Sequence, residues 1–418
     1  MKIIIINGHS TLNSGDAAII LAQVQFLKRR FRPLELALTS RTPERDAEFY
    51  RPLGVKVLPP LLPAPSIFSG AGQKIRQAAR ELWAVGAKRR LIEEIRTSDL
   101  VVSCGGGYFW SERRAFPGPM YFQNLAHVWA AQRLKKPIVF FPQSFGPLRS
   151  RAASRLLKRA LEDKNVIRVF AREKASLNFL RGLLSGERAR GKLELCPDMA
   201  FCLYDERRLA APPKDPRWPR PALALTLRKW SFSETKGRGE KEKRHREYLA
   251  ALTEACRRTA GQGKGSIILL AHARGPGVFE DDRKITSSFR QRLRRDIPED
   301  RLFYPELPLS VHPFRIMDLL QKTDAIMATR LHSAILGMLS GIPVLTIAYQ
   351  PKTREVMESL GLGGFSLDIN GLSPDKLMAG LEEICDHDHD IREKIKNSLS
   401  PLKPMIEKKL EKALERFS

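Results

Sequence analysis

The segment TRLHSAILGMLSGIPV, which starts at position 329, places two basic side chains at the beginning of an apolar helical pattern. Its apolar residues recur with the spacing i, i+3, i+4, i+7 and i+8, which predicts one buried stripe. The stripe consists of Leu331, Ala334, Ile335, Met338 and Leu339. Arg330 and His332 flank its first residue, in the first helical turn, where free N–H groups and the helix dipole favour an anion. The pair predicts an anion-binding site; the alternative is a histidine with a purely structural role.

Charged residues also follow other apolar runs that are typical of buried strands. Ligands of open α/β sheets bind beyond the carboxyl ends of the strands, so each such corner is a candidate site. Arg172 ends one run and Asp198 lies at the next corner. Arg172 suits an anion clamp because its planar fork donates paired bonds. A pairing of Arg172 with Asp198 or Glu173 is the alternative explanation.

Basic residues end two further runs in the second half of the chain. The segment LTLRKW places Arg228 and Trp230 at the end of one run, and LLAHARGPG places His272 and Arg274 at the end of another. Both corners are therefore candidates for the same kind of anionic ligand.

The corner NGHSTLNSGDAAII has a different character, because a carboxylate opens its helix. Gly15 frees the backbone for a tight turn, and Asp16 in the first helical turn suits hydroxyl groups or a polar sugar better than a phosphate. The alternative is that Asp16 only caps the helix.

The segment VVSCGGGYFW predicts a second polar corner. Gly105, Gly106 and Gly107 let a ligand approach the backbone, and Tyr108, with the two aromatic residues after it, could form a floor for a sugar ring. The alternative is that the glycines only allow close packing of the chain. The segment lacks the G-x-G-x-x-G spacing, so no dinucleotide is inferred. Gln143, in FPQSFGP, marks a third corner of this kind.

The elements that must position these residues form the pattern of an α/β fold with doubly wound parallel sheets, because short apolar runs alternate with amphipathic segments. In the first half, the predicted strands are 3–6, 34–38, 55–58, 100–103, 138–141, 166–171 and 193–196, and the clearest helices are 17–30, 73–96 and 120–134. In the second half, the predicted strands are 223–227, 266–271, 302–304, 325–328 and 344–347.

A proline-rich segment, DERRLAAPPKDPRWPRP, separates the two halves, since it suits neither a helix nor a central strand. A chain of 418 residues exceeds the usual size of one core. We therefore predict an N-terminal domain over 1–203, a linker over 204–221, a C-terminal domain over 222–389 and a basic helical tail over 390–418, broken near SPLKP. The polar segment 231–247 is predicted to be a basic loop that leads into a helix.

The composition limits the classes of protein that the chain can belong to. Lys and Arg outnumber Asp and Glu by 72 to 46, a net charge of +26, which predicts attraction to anions; a generally basic composition is the alternative. Five dispersed cysteines argue against a disulfide framework or a zinc site. MKIIIING is too short for a signal peptide, and no apolar run approaches the roughly 20 residues that span a bilayer. A cytoplasmic protein is expected, with no nucleic-acid partner.

Several short motifs, each present once, follow one another in a recognisable order along nearly the whole chain. They are NSGDAAI, GGGYF, PQSFGP, AREKAS, PDMAF, LRKW and TRLHSAILGMLSGIPVLTIAYQPKT. Together they resemble the polysaccharide pyruvyl transferase family, whose signature is R-L-H and a small residue, followed by G-(I/V)-P-V and then Y-x-x-K. The resemblance implies transfer of a pyruvyl group from phosphoenolpyruvate to sugar hydroxyls as a ketal. It also implies two Rossmann-like domains in a GT-B-like arrangement with a C-terminal helix.

The resemblance extends to expected roles for individual residues. The expected donor-binding residues are Arg172, Arg330, Ser333, Tyr349, Lys352, Arg228 and His272. The expected acceptor-binding residues are Asn13, Gly15, Gly105, Gly106, Gly107, Tyr108 and Gln143. His332 would protonate the methylene carbon of phosphoenolpyruvate, and Asp16 or Asp198 would orient or deprotonate the acceptor hydroxyl.

The expected partners follow from the same resemblance. The acceptor would be a glycan or a lipid-linked glycan, with peripheral contact to the inner face of the cytoplasmic membrane through the basic tail. No metal or cofactor is expected, and the oligomeric state stays open. The alternative function is a GT-B-type glycosyltransferase that uses a nucleotide-sugar, since the fold does not fix the function.

Overall fold

The computed structural model describes residues 1–62, 86, 88–111, 117–209, 214–230, 232, 237–261, 265–277 and 280–417. These residues form two compact units. The first unit contains Met1–Thr11, Asp16–Cys202 and Pro404–Ser418, and the second contains Leu12–Gly15 and Leu203–Lys403. The expected tail over 390–418 is thus divided between the units, and the short segment Leu12–Gly15 packs with the second unit.

The first unit is built on a parallel sheet of eight strands with the order β3-β2-β1-β4-β6-β7-β8, and β5 pairs with β6. Its strands are β1 (Lys2–Ile6), β2 (Glu35–Thr39), β3 (Val55–Leu58), β4 (Leu100–Ser103), β5 (Gly106–Ser111), β6 (Ile138–Leu148), β7 (Val166–Ala171) and β8 (Leu193–Leu195). The four isoleucines of β1 are completely buried, as expected for a central parallel strand covered on both faces.

The second unit contains a parallel sheet of six strands with the order β11-β10-β9-β12-β13-β14. Its strands are β9 (Ala222–Thr226), β10 (Ser266–Leu270), β11 (Leu302–Phe303), β12 (Ala325–Ala328), β13 (Val344–Ala348) and β14 (Ser366–Asp368). In both sheets the strand order reverses beside the first strand, so the ends of β1 and β4, and those of β9 and β12, lie at the switch points where ligands of such sheets bind. β10 is the other neighbour of β9.

Helices connect the strands in both units. They are α1 (Ser14–Arg30), α2 (Pro43–Tyr50), α3 (Pro119–Arg133), α4 (Arg151–Glu162), α5 (Lys174–Leu183), α6 (Glu187–Arg190), α7 (Arg238–Cys256), α8 (Arg283–Leu293), α9 (Pro313–Leu320), α10 (Leu331–Leu339), α11 (Pro351–Ser359), α12 (Pro374–Asp386), α13 (Asp388–Leu399) and α14 (Leu402–Leu414). A helical stretch also covers 88–97, whereas positions 73–85 and 87 of the helix expected over 73–96 lie outside the described residues.

The buried stripe predicted for α10 is confirmed, but the helix is buried on nearly all sides. Besides the five residues of the stripe, Ser333, Leu336 and Gly337 are also buried. A helix with apolar residues around its whole circumference belongs inside a core. His332, on the first turn, is the exception because it is only partly buried.

The prediction of a loop over 231–247 is wrong from Arg238 onward, because α7 begins at that residue. Ion pairs between residues four apart stabilise this exposed stretch as a helix. Arg238 pairs with Glu242 at 3.0 Å and Arg244 with Glu240 at 3.2 Å. Positions 231 and 233–236 of the predicted loop lie outside the described residues.

The segments GGGYFW and FPQSFGP, predicted as loops, are largely strand. β6 continues to Leu148 and pairs with β5. Because side chains alternate along a strand, the expected aromatic floor is split. Phe109 is completely buried and stacks on Phe145, with ring centroids 5.7 Å apart, whereas Trp110 is exposed.

The C-terminal helices break at the predicted place, between Leu399 and Leu402. Most of α14 packs in the first unit, where Lys409 donates to the carbonyl oxygen of Leu195 at 2.7 Å and pairs with Glu194 at 3.1 Å. The apolar side of α14 is therefore part of a protein core. Within the described ranges, no helix is long and apolar enough to cross a bilayer.

Candidate functional site

The expected site residues of the first unit lie where β1, β4, β6 and β7 end. Arg172, directly after β7, is buried with its side chain only 2% exposed. Its Nη1 donates to Asp198 Oδ2 at 2.6 Å, and its Nε donates to Ser144 Oγ at 2.7 Å and to Glu173 Oε2 at 3.2 Å. The pairing with Asp198 and Glu173, considered above as an alternative, is confirmed. These carboxylates hold the guanidinium rigidly and raise its pKa despite burial.

The contacts of Asp198 restrict its chemistry. One carboxylate oxygen accepts from Arg172, and the other accepts from the backbone N–H of Ala200 at 2.9 Å. Its side chain is 1% exposed. Asp198 therefore acts first as the charge partner of Arg172, and its expected role with an acceptor hydroxyl stays a prediction.

Asp16 has a different environment from the one expected of a helix cap. Because α1 starts at Ser14, Asp16 lies inside the first turn, and Asn13 caps the helix by accepting from the N–H of Gly15 at 3.1 Å. Asp16 Oδ2 lies 3.1 Å from Nδ1 of His9, and Oδ1 accepts from the Tyr108 hydroxyl at 3.3 Å. The idea that Asp16 only caps the helix is therefore wrong.

His9, Asp16 and Tyr108 form a compact polar cluster. The rings of His9 and Tyr108 stack with planes 6° apart and centroids 6.0 Å apart. Desolvation and the Asp16 carboxylate raise the pKa of Tyr108 well above its usual value, so the phenol keeps its proton. His9 was not among the residues predicted from the sequence.

The glycines of the segment GGGYFW and Gln143 have structural roles near this cluster. A Cβ on Gly105 would lie 2.7 Å from the Pro142 carbonyl oxygen, and Gly106 has a φ of +131°. Both positions therefore need glycine for close packing, as the alternative for this segment stated. Gly107 is partly buried in β5. Gln143 is completely buried and donates to Ser103 Oγ at 3.4 Å, so it belongs to an internal network.

In the second unit, Arg330 immediately precedes α10 and forms a two-pronged ion pair. Its Nε and Nη2 donate to the two carboxylate oxygens of Asp282, each at 2.6 Å. Asp282 also accepts from the N–H of Ala273 at 3.0 Å. The carboxylate thus connects the segment after β10 with the start of α10, and this partner could not be recognised in the sequence.

His272 and Arg274 follow β10 and are almost completely buried, with 3% and 4% of their surfaces exposed. Burial and the positive charges of Arg330, His332 and Arg274 lower the pKa of His272 well below its usual value. Among the residues that the structure describes, the Nε2 atom of His272 has no hydrogen-bond partner, although it is buried. Because a buried polar atom without a partner is costly, it is a candidate contact for a ligand.

Arg274 is a buried cation of the same corner. Burial lowers its pKa to about 10. Its Nη1 lies 3.5 Å from Ser14 Oγ, and within the described part of the chain no carboxylate oxygen lies within 4.0 Å of its side-chain nitrogens. Arg274 therefore differs from Arg172 and Arg330, since both of these are neutralised by carboxylates.

His332 and Gly15 lie against each other within the second unit. A Cβ on Gly15 would be 2.4 Å from Cβ of His332, so this contact requires glycine. The backbone of Gly15 does not require it, because its φ is not left-handed. Asn13 forms an isolated antiparallel β-bridge with Ala273. Asn13 and Gly15, expected on the acceptor side, thus pack beside expected donor residues. Ser333 Oγ bonds to Thr226 Oγ1 at 2.9 Å.

Arg228 and Tyr349 form an aromatic and cationic cluster with Trp230. Arg228 Nη1 donates to the Tyr349 hydroxyl oxygen, and its guanidinium lies 4.8 Å from the centre of the Tyr349 ring. Although burial alone would raise the pKa of Tyr349, Arg228, Lys352 and Arg330 lower it below its usual value. Four expected donor residues therefore influence one another in the second unit.

The structural comparisons define the class of the fold. HepE of Anabaena, in complex with UDP and glucose, is similar with a TM-score of 0.57 and 14% identity over 99% of each chain. The S. aureus MnaA–UDP structure has a TM-score of 0.57 and 13% identity, over 100% of this chain and 96% of that one. Both likenesses concern the fold alone and, with the two parallel sheets, confirm the expected GT-B class.

Sequence comparison gives the family. Residues 13–351 match the polysaccharide pyruvyl transferase family, and the chain belongs to it. A relative is the amylovoran biosynthesis protein AmsJ of Erwinia amylovora, which is 23% identical over 426 residues that cover 94% of each chain. The resemblance identified from the motifs is confirmed.

Proposed function

We propose that the protein transfers a pyruvyl group from phosphoenolpyruvate to two hydroxyls of a glycan, either a polysaccharide or its lipid-linked precursor, and forms a pyruvate ketal. The observation that carries the proposal is the buried basic corner formed by His272, Arg274, Arg330 and His332. Asp282 pairs with Arg330, and among the residues that the structure describes no carboxylate oxygen lies within 4.0 Å of the side-chain nitrogens of Arg274, so Arg274 would be available for a ligand. A ligand with two anionic groups would compensate this charge.

Phosphoenolpyruvate matches the corner because it carries a phosphate and a carboxylate and needs one proton donor. Arg274 and Arg330 would bind the anionic groups, and the partnerless Nε2 of His272 would form a hydrogen bond to the same ligand. Arg228, Tyr349 and Lys352 would line the donor site. Ser333, held by Thr226, would fix the start of α10.

The reaction begins with proton transfer from His332 to the methylene carbon, which leaves positive charge on the neighbouring carbon. A glycan hydroxyl attacks that carbon and releases its proton to the solvent, from which His332 regains the proton that it donated. The carbon–oxygen bond to phosphate then breaks with its electron pair, and a second hydroxyl closes the ketal, its proton passing to phosphate. Acid–base catalysis of this kind contributes about 10²- to 10⁴-fold in rate.

Isotope incorporation tests the reaction directly. In D2O, the purified protein with phosphoenolpyruvate and a glycan extract should produce a ketal whose methyl group carries one deuterium. His332→Gln should reduce turnover by about 10²-fold or more and keep donor affinity, whereas Arg274→Gln should weaken calorimetric binding of phosphoenolpyruvate. His389→Gln, at a histidine whose side chain is 89% exposed, is the matched control.

A nucleotide-sugar glycosyltransferase is the second candidate, because the similar HepE structure contains UDP and glucose. The same calorimetric experiment separates the two functions. Binding of UDP-glucose without binding of phosphoenolpyruvate would overturn the proposed donor.

A further inference from the structure

A cavity with basic walls lies within the second unit, at the edge of the sheet that β11 forms. Its volume is about 700 Å³, which is within the range of about 300–1,000 Å³ for ligand pockets. The strand β11, the helices α8 and α9 and the segment before β9 supply its walls. Among the described residues, none of those expected to bind the donor lines this cavity. It is therefore a separate candidate site, and nothing above assigns a ligand to it.

The carboxylates that the structure describes in the cavity wall each pair with an arginine. The pairs are Asp215 with Arg217, Glu299 with Arg294 and Asp318 with Arg208, with nitrogen–oxygen distances of 2.7, 3.1 and 2.8 Å. These carboxylates are thus already compensated.

Three further basic residues line the same cavity without such a partner. They are Arg290, Arg315 and Lys322. In the described part of the chain, no carboxylate oxygen lies within 4.0 Å of their side-chain nitrogens. Like charges that share a cavity repel one another, and an anion bound among them would remove this repulsion.

The Nε atom of Arg290 gives a second, independent indication of a ligand. This atom is buried and, among the residues that the structure describes, it has no hydrogen-bond partner. A buried donor without a partner is costly, and a guanidinium can only donate, so the group that would satisfy it is an acceptor. A phosphate offers three acceptor oxygens and a charge of about −1.5 to −2. It therefore matches three cations better than a carboxylate does.

Apolar and aromatic side chains form much of the remaining wall. Leu302, Phe303, Leu307 and Leu319 line the cavity, and so does Trp218, whose ring centroid lies 6.0 Å from that of Phe303. Apolar walls remove the organic part of a ligand from water. Basic and apolar walls in one cavity thus fit a phosphate ester with an apolar group better than inorganic phosphate.

We propose that this cavity is a second anion site, which binds a phosphate ester through Arg290, Arg315 and Lys322 and holds its apolar group against the leucines and aromatic side chains. The same chemistry occurs in a soluble phosphate monoester and in the headgroup of an anionic phospholipid. Because the cavity and the expected donor site share no described residue, this site does not depend on the proposed function.

Calorimetry with phenyl phosphate tests the site. The wild type should bind this probe more tightly than inorganic phosphate, which lacks the apolar group. Arg290→Gln and Lys322→Gln should each weaken its binding by about 10- to 100-fold, the effect of one hydrogen bond to a charged group. Arg274→Gln, which alters the expected donor site, should leave the component of binding that these two variants weaken unchanged.

Arg292→Gln is the matched control for Arg290→Gln. Arg292 lies on the same helix α8 and is exposed, and it is not among the described residues of the cavity wall. Its variant should bind phenyl phosphate as the wild type does. Arg315→Gln, at an exposed position, tests the same cavity if Arg290→Gln lowers the temperature of thermal unfolding.

Co-sedimentation with phosphatidylcholine vesicles that contain phosphatidic acid separates the two sources of the phosphate. Sedimentation that Arg290→Gln and Lys322→Gln reduce identifies a lipid headgroup as the ligand. Binding of phenyl phosphate without sedimentation identifies a soluble ester, and either result supports the site. A wild type that binds neither probe, or binding of phenyl phosphate that is equal in the wild type and in the variants at Arg290, Arg315 and Lys322, overturns it.

Discussion

At the scale of single residues, the ion pair of Arg330 with Asp282 explains how a buried positive charge is compensated in the second unit. The two 2.6 Å bonds use both carboxylate oxygens, and the Asp282 side chain is 2% exposed. Removing one partner of such a pair leaves an uncompensated buried charge, which costs far more than the pair itself contributes. Asp282 is thus a positioning residue for the expected donor site.

Asp282→Asn should therefore destabilise the protein by about 3–5 kcal/mol, measured as the free energy of unfolding in urea. The neighbouring carboxylate supplies the matched control, because Asp281 pairs with Arg283, whose side chain is 43% exposed. Asp281→Asn should change stability by only about 0.2–1 kcal/mol. Equal losses in the two variants would contradict the role given to Asp282.

The sequence predicted which basic residues stand at strand ends, but not what they contact. Arg172, Arg228, His272 and Arg330 all lie where the alternating runs indicate. Their partners come from distant parts of the chain, as with Asp282 for Arg330, and ion pairing of this kind depends on tertiary packing. His9 could have been recognised, since it lies in the same corner as Asp16, two residues beyond Asn7.

At the scale of elements, Gly15 in the segment Leu12–Gly15 lies in close contact with His332 at the start of α10, within the second unit. The expected reason for Gly15 was a turn, but the structure requires glycine because the His332 side chain lies against it. Gly15 therefore helps to set the position of His332 within the second unit, although the two residues are far apart in sequence.

Gly15→Ala tests this constraint. The added Cβ would lie 2.4 Å from Cβ of His332, so His332 or the start of α10 must shift, at a cost of about 1–3 kcal/mol. A displacement of this size should lower turnover by about 10²-fold. Gly182 is the control, because it lies in α5 and a Cβ there meets nothing within 4 Å; Gly182→Ala should be neutral or stabilising in thermal unfolding. An unchanged Gly15→Ala enzyme would contradict the argument.

The strands were the most predictable elements, since each buried run in a parallel sheet is apolar on both faces. β5 was missed because the three consecutive glycines at its start and just before it indicate a loop, and only pairing with the long β6 makes it a strand. The exposed start of α7 was missed because a polar segment has no apolar period, and its stabilising ion pairs lie within the helix.

At the scale of the whole molecule, the net charge of +26 and the C-terminal helix bear on the expected membrane contact. α14 was expected to offer a basic amphipathic surface. Its apolar residues Ile406, Leu410, Ala413 and Leu414 are instead buried, and Lys409 pairs with Glu194. Any attraction of this helix to an anionic surface would therefore rest mainly on charge, which salt screens.

The same packing makes α14 a structural part of the first unit. Alanine substitutions of one buried and one exposed residue of similar size test this role. Leu410 is completely buried, whereas Met405, also on α14, is 39% exposed. Leu410→Ala should lower the free energy of unfolding by about 2–5 kcal/mol, because a cavity remains where the side chain packed. Met405→Ala should change it by no more than roughly 0.5 kcal/mol. If chemical denaturation gave the same small effect for both, the helix would add nothing to this core, and its basic surface would be free for another partner.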